Sequence, residues 1–258
     1  MRNGEGVGAM IRGLGIDVEV EPARMAIRYG SGVSGPPLEL RPLEAIRASL
    51  LDPACDGPDP VYGVAMDVAR EIDRAELRRL NLLFGVMLFA AGRLGEEPVR
   101  SQGHVHRNGT PEIYEVWAGR ATVLMQERAE DDPGRCYAAD ASPGEHIVVP
   151  PGWAHATISS DPCEPLVFAA WCERDYGFVY DGVRRRGGLA WFPRWSAAGR
   201  IEWVANPRYR PAKLQLRAPA DPERLGLRAG EPMYGRIFRW VSEPGTIDSF
   251  WEEIQRNG

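Results

Sequence analysis

Histidine and cysteine are scarce in this chain, four of each in 258 residues. Cys55, Cys136, Cys163 and Cys172 are scattered and form no CxxC pair, which argues against a zinc ribbon or a redox dithiol; reduced thiols are expected. Positive charge is not in excess either. With a formal net charge of -5, the chain has no basic footprint for nucleic acid, although Arg184, Arg185 and Arg186 make one local basic cluster. Long apolar runs are missing: Leu82 to Ala91 is too short to cross a bilayer, and MRNGEGVGAMIRG at the N-terminus lacks a signal-peptide core. The expectation is a cytoplasmic protein without nucleic-acid or membrane partners.

What is present suits a globular chain. Hydrophobic residues at 44% are enough for a sizeable core, and charged residues at 26% are enough for a solvated surface. The stretches 61–68, 82–90, 112–119, 121–127, 146–150 and 166–171 are short, β-branched or aromatic, and separated by Gly, Pro or Asp. That texture predicts a mainly β sandwich or barrel. A helix is expected near Pro42, with Leu43, Ile46 and Leu50 on one side, and a helical turn within 70–79. Residues 1–15 are glycine-rich and expected to be flexible, 16–210 to form the barrel domain, and 211–258 to form a C-terminal extension. That extension should end in an amphipathic helix, capped by Thr246 and carrying Ile247, Phe250, Trp251 and Ile254, packed on the body or on a second subunit.

All four histidines fall in two stretches, and three of them, His104, His106 and His155, are the candidate ligands. The first, HVHRNGTPEIYEVWAG, begins at His104; side chains on a strand alternate between faces, so His104 and His106 project the same way. The second, GEHIVVPPGWAHATIS, begins at Gly144, and its rigid Pro-Pro-Gly corner aims His155 at a fixed point. Together with Glu112 they offer three imidazoles and a carboxylate, a set that suits Mn, Fe, Ni, Co or Zn better than magnesium or calcium. Four protein ligands on a six-coordinate ion leave two adjacent positions for neighbouring substrate oxygens. Tyr114 lies two residues after Glu112 and shares its face. The fourth histidine, His146, has no evident partner.

These stretches resemble the paired motifs of the cupin superfamily, which implies a double-stranded β-helix (jelly-roll) barrel with the ligand set His104, His106, Glu112 and His155. Two departures are visible. Five residues, Arg107 to Pro111, separate His106 from Glu112 where three or four are usual, and Pro98 stands where a glycine is common. SQGHVH, EIY, VPPGWAH, DYG at 175–177 and NPRY at 206–209 resemble one branch, the cupin-type glucose-6-phosphate isomerases first recognised in archaea. The likeness runs from about Gly15 to Arg210.

The resemblance implies a metal-dependent aldose-ketose isomerase acting on glucose 6-phosphate and fructose 6-phosphate, with iron(II) the first expectation and Mn, Ni, Co or Zn as alternatives. It further implies Glu112 as ligand and base, Tyr114 and Tyr176 as substrate contacts, and Ser101 and Gly103 at the phosphate. A hydride shift competes with proton transfer. The family's Thr-Lys-Gly triplet reads Ser101, Gln102, Gly103 here, and Met87 falls where the family supplies a threonine, so the lysine's charge is missing. Arg100 or the arginines at 184–186 are the available replacements. The same changes leave three other readings open: an isomerase or epimerase of a modified or unphosphorylated sugar, a cupin dioxygenase, and a non-catalytic sugar-binding cupin. Pairing through edge strands makes a homodimer the expected assembly.

Overall fold

The computed structural model describes residues 10–228 and 230–236. The chain is mainly β, a cupin-type jelly roll of two sheets. Strands are numbered here as β1 (Glu39–Arg41), β2 (Tyr62–Met66), β3 (Leu82–Phe89), β4 (Val105–His106), β5 (Glu112–Ala118), β6 (Ala121–Gln126), β7 (Cys136–Ala141), β8 (His146–Val149), β9 (Ala154–Ser159), β10 (Leu166–Glu173), β11 (Phe178–Val179) and β12 (Leu214–Arg217). The larger sheet runs β8-β5-β10-β3-β2-β1, the smaller β9-β6-β7-β12, and β4 pairs with β11 across the mouth. All pairings are antiparallel except β7 with β12.

Period-two alternation accounts for the layers. Met87 and Phe89 of β3, Tyr114 and Val116 of β5, and Phe168 and Ala170 of β10 turn inward, where they meet Val123 and Met125 of β6 and Tyr137 and Ala139 of β7. Their neighbours Phe84, Val86, Leu88, Ile113, Val167, Ala169 and Trp171 face the opposite way. That outer face is covered too, by Val18 and Val20 of an N-terminal hairpin, by Leu77 of the helix Arg74–Arg79, and by Leu225, Leu227, Met233 and Tyr234. Burial on both faces explains why β3 reads as one continuous apolar run, buried at every position.

The sequence expectations for strands at 61–68, 82–90, 112–119, 121–127, 146–150 and 166–171 correspond to β2, β3, β5, β6, β8 and β10. The helix near Pro42 is short, Leu43–Ile46 followed by a 3-10 turn, with Leu43, Ile46 and Leu50 buried. At 70–79 a 3-10 turn leads into Arg74–Arg79. Residues 11 and 12, expected to lie in a flexible lead, pair with Val20 and Glu19. Beyond residue 211, Leu214–Arg217 pairs with Cys136–Ala139, so this part of the extension is built into the smaller sheet. The amphipathic helix expected at 246–254 lies outside the described residues. All four cysteines are unpaired. Among the described residues no helix is long and apolar enough to cross a membrane.

Candidate active site

His104 and His155 are brought together by backbone pairing. Their amides and carbonyls exchange two hydrogen bonds, His104 N to His155 O at 3.0 Å and His155 N to His104 O at 2.9 Å. His106 follows on the same face, its ring stacked on that of His104 with centroids 5.3 Å apart, as the alternation predicts. Glu112 opens β5 opposite Cys172 and points into the barrel with Tyr114. One donor atom from each of His104, His106, Glu112 and His155 lies within 4.8 Å of every other, the span of ligands around one ion.

The tautomers suit a metal. His155 Nδ1 faces the Trp153 carbonyl at 3.0 Å and His106 Nδ1 faces the Thr110 carbonyl at 3.3 Å. A carbonyl only accepts, so His155 carries its proton on Nδ1 and presents a lone pair at Nε2, while His106 Nδ1 meets the Thr110 hydroxyl at 3.2 Å as well as the carbonyl. The Nε2 atoms of His104, His106 and His155 are all buried without a hydrogen-bond partner. A buried orphan nitrogen costs free energy unless something meets it, and three converging on one carboxylate fit a cation.

Electrostatics agree with that fit. Burial, reinforced by His155 and His106, holds His104 well below the usual histidine range, so it stays neutral. Burial also lowers His106, against the partial opposition of Glu112. For Glu112 burial pushes upward, but the contacts from His155, His106 and Tyr114 outweigh it, and the carboxyl lies below its ordinary value. These contacts converge on Oε2: Tyr114 Oη donates to it at 2.8 Å, while His155 and His106 Nε2 lie 3.3 and 3.6 Å away. Burial and the adjacent carboxylate push the Tyr114 phenol well above its usual range, so it remains a donor.

A cavity of about 50 Å³ opens beside His104 and Glu112, lined on one side by Met66, Met87, Phe89 and Phe168. Ser101 borders it, its Oγ accepting from the Thr157 amide at 3.0 Å. Gly103 does not line the cavity. Its φ of +87° and a neighbouring His155 carbonyl, 3.3 Å from where a Cβ would sit, explain a glycine where the chain enters β4. Tyr176 lies one layer out. It packs on Phe178 with centroids 4.6 Å apart and borders a separate surface depression. The wall facing the cavity is Phe178 and Tyr180. The sequence reading missed both, although the alternation 176, 178, 180 was there to be followed.

Two other candidates are committed elsewhere. Arg100, considered above as a charge replacement, is buried in an ion pair with Glu97 at 2.8 Å and donates to the Ser49 and Ser101 carbonyls. His146 faces away from the site, on the Glu115 side of β5, with Nε2 at 3.4 Å from Glu115 Oε1.

Comparison with known proteins follows the geometry. The family model for Glucose-6-phosphate isomerase (GPI) matches residues 40–211. The match ends where the motifs end and begins later than the expected Gly15. A glucose-6-phosphate isomerase of Thermococcus gammatolerans is 30% identical over 137 residues, 52% of this chain and 68% of that one. One from Pyrococcus horikoshii is 26% identical over 199 residues, 74% of this chain and 98% of that one. Among solved structures, an oxalate oxidase overlays with a TM-score of 0.37 at 20% identity, covering 46% of this chain and 54% of that one. With two thirds of its length matched by the family model and a mainly β fold around paired histidine motifs, this chain belongs to the glucose-6-phosphate isomerase family, as an isomerase of the cupin type.

Proposed function

We propose that the protein interconverts an aldose phosphate and a ketose phosphate, most simply glucose 6-phosphate and fructose 6-phosphate, at a divalent transition-metal site formed by His104, His106, Glu112 and His155. The convergence of four donor atoms within 4.8 Å, three of them on imidazoles, carries this reading. When bound there, a divalent ion supplies Lewis acidity to the two neighbouring substrate oxygens and holds them in register. Iron(II) is the first candidate; manganese, nickel, cobalt and zinc suit the same donors.

The chain's own groups supply the rest. Glu112 sits at the junction of the site and the cavity, ionised and able to take the proton from the hydroxyl-bearing carbon next to the carbonyl and return it to the former carbonyl carbon, while that hydroxyl's proton passes to the former carbonyl oxygen. With Oε2 accepting from Tyr114, the proton-transfer role falls to Oε1. Tyr114, kept protonated, fixes the carboxylate's rotamer and offers a hydroxyl beside the reacting carbons. Met66, Met87, Phe89 and Phe168 exclude water from a charged intermediate state, which strengthens each electrostatic contact inside.

Proton NMR in deuterium oxide tests this. The metal-loaded protein should convert fructose 6-phosphate to glucose 6-phosphate, an EDTA-treated sample should not, and deuterium at C2 should report proton transfer through Glu112. Conversion without deuterium would mean that the hydrogen reaches C2 without exchange with solvent, by a hydride shift or by direct return from a shielded Glu112. No conversion with metal bound would remove the hexose phosphates as substrates and turn attention to unphosphorylated or modified sugars.

A further inference from the structure

The cavity beside Glu112 is too small for a hexose phosphate, since sites for molecules of that size run from about 300 Å³ upward. A second pocket, of about 300 Å³, adjoins it toward solvent. The two share Arg41, Tyr62 and Tyr180, so a molecule with its reacting end at Glu112 can extend past these side chains into the outer pocket. The lining there differs in character. Beside Leu40, Pro42, Ala45 and Ile46 it presents the guanidinium groups of Arg41 and Arg184, the amide of Gln102, and the two tyrosines.

Gln102 points to a missing ligand. It is 4% exposed, its Oε1 accepts from Arg184 Nη2 at 3.3 Å, and its Nε2 is buried with no partner. That acceptance orients the amide: the oxygen meets the cation, and the nitrogen is left with protons to donate. Arg184 is steadied by its guanidinium lying 4.9 Å from the Tyr180 ring centroid, which leaves donors of the fork unused. Arg41 pairs with Glu39 at 2.5 Å, a carboxylate largely in solvent, and its guanidinium also meets the hydroxyls of Tyr62 and Tyr180 at the junction of the two pockets. Two cations and an unsatisfied amide donor around one pocket call for an anion with several acceptor oxygens.

We infer that the pocket between Arg41 and Arg184 is the anion subsite that holds the phosphate end of the substrate, with Gln102 donating to it. The charge lost at residue 102, relative to the family triplet, is thereby supplied from β1 and from the short helix Asp181–Arg185 on the other side of the mouth. Of the three clustered arginines only Arg184 lines the pocket; Arg186 lies over Tyr209 and donates to the Arg208 carbonyl. The identity of the anion as a sugar phosphate rests on the isomerase reading, but the subsite's affinity for phosphate does not.

The test is calorimetric titration of the full-length, metal-loaded protein with inorganic phosphate, beside steady-state kinetics with fructose 6-phosphate, for wild type, Arg41→Gln, Arg184→Gln and the double variant. Each single replacement should weaken phosphate binding and raise KM by about ten- to a hundredfold, the range of a charge-assisted hydrogen bond. Metal content and melting temperature should stay at wild-type values, and Arg184→Lys should restore part of the loss. Gln102→Glu, an isosteric change that puts a carboxylate against the anion, should abolish phosphate binding. Phosphate held at the metal instead would be indifferent to both arginines, so unchanged binding in the double variant overturns the subsite, as does an absence of binding to wild type. Arginine-dependent phosphate binding without turnover of fructose 6-phosphate would sustain the subsite and remove the hexose phosphates as substrates.

Discussion

At the scale of single residues, two of the three clustered imidazoles, those of His155 and His106, are each held by a backbone carbonyl of their own rather than by one another. His155 Nδ1 is held by the Trp153 carbonyl and His106 Nδ1 by that of Thr110, so removing one of these ligands should leave the other ring in place. His155→Ala is therefore expected to lose metal and turnover together, read by elemental analysis and the isomerase assay; full metal occupancy in that variant would break the proposed ligand set. Glu112→Gln keeps the shape and removes the base. It should reduce kcat by about 10²-fold or more while part of the metal remains. Tyr114→Phe deletes the hydroxyl that meets Glu112 Oε2, and a drop in kcat of about tenfold or more with KM little changed is expected if that hydroxyl serves the transition state. An unaltered kcat would leave the tyrosine a packing residue.

At the scale of elements, two features outside the site can be probed without touching its chemistry. The turn from β5 to β6 passes through Gly119 at φ +73°, where a Cβ would meet the Pro165 carbonyl at 2.5 Å. Gly119→Ala adds a left-handed penalty to a backbone clash, and a loss of about 1–3 kcal/mol in denaturant unfolding is expected. On the outer face, Asp67 accepts from Arg174 Nη2 at 2.9 Å, and that contact lowers its pKa against the effect of burial. A carboxylate whose folded pKa lies below its unfolded value near 3.9 adds stability above that value and loses it as pH falls through the folded pKa. The pair is partly exposed, so Asp67→Asn should cost no more than about 1 kcal/mol at pH 7. The difference from wild type should vanish in acid, and a difference that persists below the folded pKa would show that the contact is not charge-dependent.

For the whole molecule, the segment beyond the family match is part of the core. Leu225, Leu227, Met233 and Tyr234 are buried against the outer face of the larger sheet, with Tyr234 packed on Phe84 and Trp171. The Met233 amide also donates to Glu115 at 2.8 Å, on the side of β5 opposite Glu112. At roughly 1.5–3 kcal/mol per buried large side chain, these four contribute about as much as a typical domain's whole net stability. A chain truncated after residue 211 should therefore fail to accumulate as folded protein, although it retains all four proposed metal ligands. A truncated protein with a wild-type melting temperature would show that the family core folds independently of the extension.

The shared faces of His104 with His106 and of Glu112 with Tyr114, and the mainly β class, were legible in the sequence because they depend on short-range rules. Period-two alternation aligns His104 with His106 and Glu112 with Tyr114 whatever the rest of the chain does. Recognition of the branch likewise rested on short motifs, EIY and VPPGWAH among them, that survive a change of length such as the five residues between His106 and Glu112. Other features depend on strands far apart in the chain. His104 meets His155 through a backbone pairing across 51 positions, and Arg41, Gln102 and Arg184 reach one pocket from three separate elements. Arg100 and Arg184 look equally available as letters; tertiary structure buries the first in an ion pair with Glu97 and leaves the second at the mouth. Local chemistry is written in neighbouring residues, whereas the partner that each side chain meets is decided by which strands pair and which face each one turns inward.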